Sequence, residues 1–255
     1  MSKMLVLIVT YNEIENVKTI LSRVKVSLPD ADILFVDDNS PDGTGKLLEE
    51  FASVDFSVHV MHRAGKLGVG SAHLDGIAWA YDNNVDVLIT LDADCTHSPE
   101  EFSIFIDAVQ SAAIVVGSRF LVREGIKQWP FHRRVLTRLG HVLTRMFLRI
   151  PYDATGAYRA YNLRLIPREV FALVKSKDYS FFYESLKLIA MTGCPITQVP
   201  VVLAPRQGGN SKMRPHDVRR GFTYLVSLGA RTLLPIGDLH DQTKKIAQKA
   251  ALLHQ

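Results

Sequence analysis

The sequence predicts an α/β fold, a mostly parallel central sheet with helices on both faces. Three observations carry that prediction. Apolar, strand-like runs alternate with helix-like segments through the first half of the chain. Polar residues that suit no strand interior gather at the C-terminal ends of those runs. The chain, with 255 residues and 47% hydrophobic content, is long enough for one full core.

The elements follow in order. "MLVLIVT" (4–10) is a continuous apolar run, the pattern of a strand buried on both faces. Over 14–26 the apolar residues Ile14, Val17, Leu21 and Val24 recur at helical spacing. "ADILFVDD" reads as a second strand that ends at Asp37 and Asp38, "NSPDGT" as a turn, and 45–52 as a helix. "SVHVMH" is a third strand, 70–81 a helix, and "VDVLITLD" a fourth strand. Pro99 opens the next helix with Ser98 as its N-cap, and "AIVVGSR" is a fifth strand.

After Arg119 the pattern changes. Residues 131–149 predict a strongly amphipathic helix with Phe131, Val135, Leu136, Leu139, Val142, Leu143, Met146 and Phe147 as its apolar positions. Arg133, Arg134, Arg138, Arg145 and Arg149 are interleaved with them. "ATGAYRAYN" looks extended, 182–191 helical, "ITQVPVVL" a strand and "APRQGGNSKMRP" a loop. A last amphipathic helix covers 218–234, and 235–255 is a tail, polar at first and then rich in Ala and Lys.

The formal net charge of +4 conceals an asymmetry: residues 1–116 carry 7 Lys+Arg against 18 Asp+Glu, and residues 117–255 carry 23 against 8. An acidic half that holds a cation and a basic half that meets phosphates or an anionic surface would produce it, as would uneven surface charge alone. Two cysteines, Cys95 and Cys194, build no disulfide framework and point to a reducing compartment. No uninterrupted apolar stretch is long enough to span a bilayer, and the N-terminus lacks the features of a signal peptide, so the expected location is cytoplasmic.

Asp92-Ala93-Asp94 is the central constellation. A strand end splays alternate side chains, and the turn after it lets two carboxylates converge on one cation. Hard divalent ions such as Mg²⁺ or Mn²⁺ take oxygen ligands and bridge to phosphates. A solvated turn is the plainer reading of an isolated D-x-D, but this one ends a strand of an α/β sheet, as Asp37-Asp38 does. Tyr11, Asn12 and Glu13 follow the first strand without the G-x-G-x-x-G of dinucleotide folds. Such a loop either reads a base or ribose edge or caps a helix. "GKLGVGSA" (65–72) lets backbone approach a ligand ahead of a helix, and Lys66 either reaches a phosphate or serves the cap. Cys95 and His97 have no second Cys/His pair at zinc spacing, and no G-x-S-x-G elbow occurs. The basic half carries neither aromatic-interleaved strands nor a zinc module, which argues against nucleic acid as partner.

"VTYNEIENV", "VDDNSPDGT", "KLGVGSAHLDGI", "LDADCTHSPE", "GSRF" and "DATGAYRAYN" occur in this order, with "WPFHRRVLTRLG" and "RQGGNSK" in the second half. Together they resemble the polyprenol- (dolichyl-) phosphate mannosyltransferases, inverting glycosyltransferases with a GT-A fold, over about residues 4–234. The resemblance implies transfer of mannose from GDP-mannose to a polyprenyl phosphate, with Asp92, Asp94 and Arg119 as the catalytic set. It implies Asp92 and Asp94 as ligands of Mg²⁺ or Mn²⁺, with Thr96 as a third. Tyr11, Glu13, Asp38 and Ala93 would hold the sugar nucleotide, Arg119 would reach its sugar or phosphates, and Arg206 and Lys212 would bind its diphosphate. Arg133 and Thr137, one helical turn apart, would cradle the acceptor phosphate. Residues 1–119 would then be the nucleotide and metal half of a single catalytic domain 1–234, and 120–234 the half that meets acceptor and membrane.

A phosphate monoester acceptor is already ionised at neutral pH and needs no general base, whereas a hydroxyl acceptor does. Glu184 in "SFFYESL" is the candidate base for a hydroxyl acceptor, or else a structural ion-pair partner. The helices at 131–149 and 218–234 either pack on the core or lie at a lipid surface, with direct attachment or a small membrane-anchoring subunit. Other readings are a UDP-glucose-type donor, a soluble glycan acceptor, and a non-catalytic subunit that kept the fold. A nucleotidyltransferase is disfavoured because "TYNEIEN" is not a Gly-rich basic loop.

Overall fold

The computed structural model describes residues 2–126, 129–205, 215–234 and 238–253. The apolar runs become strands β1 (Met4–Thr10), β2 (Asp32–Asp37), β3 (Val58–His62), β4 (Val87–Asp92) and β5 (Ile114–Ser118). Between them lie α1 (Val17–Ser27), α2 (Thr44–Val54), α3 (Val69–Asp82) and α4 (Phe102–Val109). Strands β6 (Arg159–Asn162) and β7 (Ile196–Pro200) complete a seven-stranded sheet of order β3-β2-β1-β4-β6-β5-β7. Helices α5 (Phe131–Leu148), α6 (Glu169–Ala172), α7 (Phe181–Met191), α8 (Pro215–Leu233) and α9 (Asp238–Leu253) belong to the second half.

Alternate strand residues feed two cores. Leu5, Leu7, Leu34, Val36, Leu88 and Val116 face one side of the sheet, with α3 and α7. Val6, Ile8, Ile33, Phe35, Ile89 and Val115 face the other, with α1 and α4. Burial on both faces explains why β1 is an unbroken apolar run.

From β1 the chain steps outward to β2 and β3, then crosses back to β4 on the other side of β1. That reversal is a topological switch point, where a crevice opens beyond the carboxyl ends of the strands. The register places Asp92 beside Val9 there.

Strand β6 differs from the parallel expectation, pairing antiparallel with both β4 and β5. Its reversed direction has a consequence for the site. Residues 153–157, which precede β6, lie at the carboxyl ends of β4 and β5. Arg159 on β6 is fully buried and donates to the carbonyls of Ala154, Gly156 and Phe182 and to the Ser185 hydroxyl, stapling that loop to α7.

The Ser98 cap is corrected: its side chain makes no capping bond, and its carbonyl instead accepts the Tyr158 hydroxyl at 2.7 Å. Pro99 opens a 3₁₀ turn, Pro99–Glu101, and α4 begins only at Phe102. Residues 238–253, read as tail, form α9, with Ile246 and Ala250 buried against neighbouring helices.

Helix α5 turns its apolar stripe outward. Phe131 is 73% exposed, and Val135, Leu139, Val142 and Met146 follow it along the same exposed row. Helix α8 packs beside it, where a Cβ on Gly229 would lie 2.8 Å from the Phe147 carbonyl oxygen. Val218, Phe222 and Val226, at successive i+4 positions on α8, extend the exposed apolar surface.

Candidate active site

The loop after β1 is shaped by its polar residues. The Thr10 hydroxyl donates to Asp37 at 3.0 Å, and Asp37 also accepts the amide and hydroxyl of Ser40. Asn12 and Asn39 both adopt positive φ, a conformation Asn tolerates better than most residues. The Glu13 amide donates to the Thr44 hydroxyl, and its carboxylate accepts Asn16 Nδ2 at 2.7 Å.

Asp38 is held by Arg63, which also bonds Asp75 and Ser71, and by the amides of Leu67 and Gly68 at 3.2 Å. Arg63 is thus a buried hub that the sequence reading missed. Its only sequence signal is its place after the third strand. Two glycines of "GKLGVGSA", Gly68 and Gly70, serve the protein's own backbone, while nothing lies within 4 Å of a Cβ at Gly65. A Cβ on Gly68 would lie 2.4 Å from the Lys177 carbonyl oxygen, and one on Gly70 would lie 2.5 Å from that of Asp178. Lys66 stacks its ammonium 4.1 Å from the centre of the Tyr11 ring.

At the end of β4 the chain reverses through Cys95, which has φ +59°. The Thr96 amide and hydroxyl both donate to Asp94 Oδ1, at 3.0 and 2.7 Å. The Asp92 amide donates to His97 Nδ1 at 3.0 Å, which leaves the imidazole proton on Nε2. Burial pushes the His97 pKa down to about 4, against the opposing pull of Asp94, so the ring is neutral. Arg119 donates to Asp153 through Nε (2.9 Å) and Nη2 (2.7 Å), and to the Thr155 hydroxyl at 2.6 Å. Burial works against the Asp153 charge, yet the Arg119 guanidinium holds that carboxyl below its ordinary value.

Two clefts meet at Asp92 and Asp94. The first, about 370 Å³, is lined by Tyr11, Glu13, Asp38, Lys66, Ala93 and both aspartates, with Asp178, Asp217 and Arg220 opposite. The second, about 340 Å³, is lined by the same aspartates with Thr96, His97, Arg119, Arg133 and Thr155, and by apolar walls from Trp129, Tyr158, Phe182 and Leu203. The structure therefore brings Tyr11, Glu13, Asp38 and Ala93 together in one chamber and Thr96, Arg119 and Arg133 in the other. Arg119 faces the second chamber, not the one that holds Tyr11. Arg133 stacks 3.7 Å from the centre of the Trp129 ring. Thr137, partly buried on α5, lines neither cleft, and Arg206 and Lys212 lie outside the described residues.

The donor set at the shared wall fits a hard divalent cation. It offers two carboxylates, Asp94 nearly buried and Asp92 with its side chain 44% exposed. Among the described residues no cluster of three His, Cys, Asp or Glu forms, so substrate oxygens and water would complete the shell. Glu184 is 1% exposed and lines neither cleft. Its carboxylate accepts the amides of Lys175 and Ser176 and the Tyr224 hydroxyl. That excludes it as a general base and makes it structural, through hydrogen bonds instead of an ion pair.

The profile of glycosyl transferase family 2 matches residues 5–172. The polyprenol monophosphomannose synthase of Mycolicibacterium smegmatis is 38% identical over 230 residues, 89% of this chain and 87% of the relative. The undecaprenyl-phosphate mannosyltransferase of Micrococcus luteus is 37% identical over 212 residues, 83% of this chain and 87% of the relative. Among solved structures, glucosyl-3-phosphoglycerate synthase from Mycobacterium tuberculosis, in complex with Mn²⁺, UDP and glucosyl-3-phosphoglycerate, superposes with a TM-score of 0.60 at 16% identity, over 93% of this chain and 81% of that one. The mannosyltransferase PcManGT from Pyrobaculum calidifontis, in complex with GDP-Man and Mn²⁺, gives 0.58 at 17% identity, over 99% and 70%. At these identities the structural likeness bears on the fold alone.

Proposed function

The chain belongs to glycosyl transferase family 2 and has the GT-A fold, and we propose that it transfers mannose from GDP-mannose to a polyprenyl phosphate, with inversion and with Mg²⁺ or Mn²⁺. The observation that carries this reading is the wall shared by the two clefts. Asp92 and Asp94 stand between an acidic chamber and a chamber with two arginines.

In this reading the nucleoside of the donor lies among Tyr11, Glu13, Asp38 and Ala93, and Arg206 and Lys212 contact its diphosphate. The acceptor phosphate enters the second chamber, against Arg119 and Arg133, with Thr137 on the same helix. A phosphate oxygen of the acceptor attacks the anomeric carbon from the face opposite the leaving group. The C–O bond to the diphosphate breaks, and the nucleoside diphosphate leaves with the electron pair. No proton has to be removed from the acceptor, so this step needs no general base. Asp92 and Asp94 would hold a divalent ion, which would neutralise the charge that builds on the diphosphate. Arg119, locked by Asp153, meets the incoming phosphate with its orientation already fixed.

A polyprenyl chain stays in the bilayer, so the second chamber must open beside a membrane. The exposed row from Phe131 to Met146 on α5, joined by Val218, Phe222 and Val226 on α8, supplies an apolar face next to Arg133. Arg138 and Arg145 on the same helix and Arg149 just after it are exposed and favour an anionic leaflet. No helix of the described residues is long and apolar enough to cross a membrane. We propose that this face lies on the cytoplasmic surface of a membrane, alone or with a small anchoring subunit.

The test is a mass measurement on a short polyprenyl phosphate incubated with Mn²⁺ and, separately, with GDP-mannose, UDP-glucose and other sugar nucleotides. A gain of one hexose from GDP-mannose is expected. A gain only from a uridine donor would replace the donor assignment, and no gain from any donor would overturn the lipid acceptor.

A further inference from the structure

Residues 175–180 reach both clefts: Asp178 and Tyr179 line the first, and Tyr179 also lines the second. The strip is gripped from two sides. On the side of α3, its Lys177 carbonyl accepts the Ser71 amide at 3.0 Å. Gly68 and Gly70 permit that approach, since a Cβ on either would meet the strip's backbone at 2.4–2.5 Å.

On the side of α8 the grip is a buried carboxylate. Glu184 Oε2 accepts the amides of Lys175 at 3.1 Å and Ser176 at 2.8 Å, while Oε1 accepts the Tyr224 hydroxyl at 2.6 Å. One turn earlier on α8, the Gly221 carbonyl accepts the Tyr183 hydroxyl at 2.7 Å, and that hydroxyl is 2.6 Å from the hydroxyl of Ser180. A carboxylate 1% exposed costs stability unless its lone pairs are filled, and here three donors fill them, with Arg231 acting on the same Tyr224 hydroxyl. Its strength is therefore spent on geometry: it fixes where the strip begins and which helix it leans on.

We propose that Glu184 and Tyr224 are positioning residues for donor binding, holding residues 175–180 so that Asp178 and Tyr179 face the sugar nucleotide. The proposal rests on the reading of the first cleft as the donor chamber. Neither side chain lines that cleft, so each acts through the strip. Tyr224 also lies on α8, whose opposite row Val218, Phe222 and Val226 is exposed. The strip is thereby tied to the helix that the proposed function sets at the lipid surface.

Tyr224→Phe keeps the ring and its packing and deletes the hydroxyl, with its bond to Glu184 and its interaction with Arg231. Binding of GDP and UDP in the presence of Mn²⁺ is measured by calorimetry, with KM for donor and acceptor and the thermal midpoint alongside. Y224F is expected to weaken the preferred nucleoside diphosphate and raise donor KM about tenfold, the equivalent of about 1.4 kcal/mol. Acceptor KM should stay near wild type, while the midpoint falls because the buried carboxylate loses one of its three donors. Glu184→Gln can still accept both amides and can donate to the Tyr224 hydroxyl, so it should bind within about twofold of wild type, while Glu184→Ala should not. Wild-type affinity in Y224F would overturn the proposal. So would equal losses of donor and acceptor affinity, the mark of a merely structural residue. A wild-type protein that binds no nucleoside diphosphate would remove the reading of the first cleft, and the proposal with it.

Discussion

Thr96 illustrates how a small hydroxyl at the site acts through a neighbour. Its hydroxyl proton is directed at Asp94 Oδ1, fixing the rotamer of a carboxylate that faces both clefts. Thr96→Val should therefore weaken Mn²⁺ affinity by about 10–100-fold, as loss of an orienting partner does, and Thr96→Ser should restore it. A Mn²⁺ titration followed by electron paramagnetic resonance reads this directly. The Arg119–Asp153 pair makes a harsher prediction. Asp153 is fully buried, and Asp153→Asn leaves the guanidinium without its counter-charge. The variant should lose about 3–5 kcal/mol of stability in urea unfolding. His73 adds a pH dependence. It is fully buried between Phe181 and Phe182, and burial pushes its pKa from 6.5 down to about 3. Below pH 6.5 the unfolded chain binds a proton that the folded chain refuses, so stability falls as pH falls, by up to about 1.4 kcal/mol per pH unit from this group. His73→Phe should flatten that slope between pH 6.5 and 4 in urea titrations. At this scale the sequence was legible where chemistry is local. Asp92 and Asp94 stand at a strand end where charge has no packing role. Arg63 with Asp38, or Arg119 with Asp153, are partners 25 and 34 residues apart, and no periodic pattern records such pairs.

Elements were legible from periodicity and their boundaries less so, since α1 begins at Val17, three residues after Ile14, and α4 at Phe102 instead of Pro99. Strands β1 to β5 and the intervening helices fall where the apolar spacing places them. The direction of β6 was not legible, because an extended tetrad has the same alternation whichever way it runs. Helix α9 was not legible either, since its Ala- and Lys-rich stretch carries only a thin apolar stripe at Ile246 and Ala250. Helix α5 shows the limit of the amphipathic pattern. Periodicity gives the face but not what covers it, and here the apolar face looks outward. Leu139→Glu with Val142→Glu should leave unfolding within about 0.5 kcal/mol of wild type, as exposed substitutions do. The same double variant should lose sedimentation with anionic vesicles, and the wild-type binding should weaken with added salt. Gly229 marks the opposite case, a helix contact with no room. Gly229→Ala places a Cβ 2.8 Å from the Phe147 carbonyl oxygen and should cost about 1–3 kcal/mol, read by thermal unfolding.

For the whole molecule, the charge asymmetry of the sequence becomes the geometry of the site. The acidic first half supplies Glu13, Asp38, Asp92 and Asp94 around the switch point between β1 and β4, and the basic second half brings Arg119 and Arg133 to the far side of the same aspartates. Antiparallel β6 makes this possible by carrying residues 153–157 to the carboxyl ends of its neighbours, where Asp153 clamps Arg119. The central claim is that this wall joins a sugar nucleotide on one side to a lipid phosphate on the other. It is tested most directly by counting radiolabelled mannose that passes from GDP-mannose into the organic phase in the presence of short polyprenyl phosphate and Mn²⁺. Label is expected with the wild-type protein, and a fall of at least about 100-fold with a chelator or with Asp92→Asn. Label that persists undiminished in Asp92→Asn, or no lipid-borne label from the wild type with any sugar nucleotide, would contradict it.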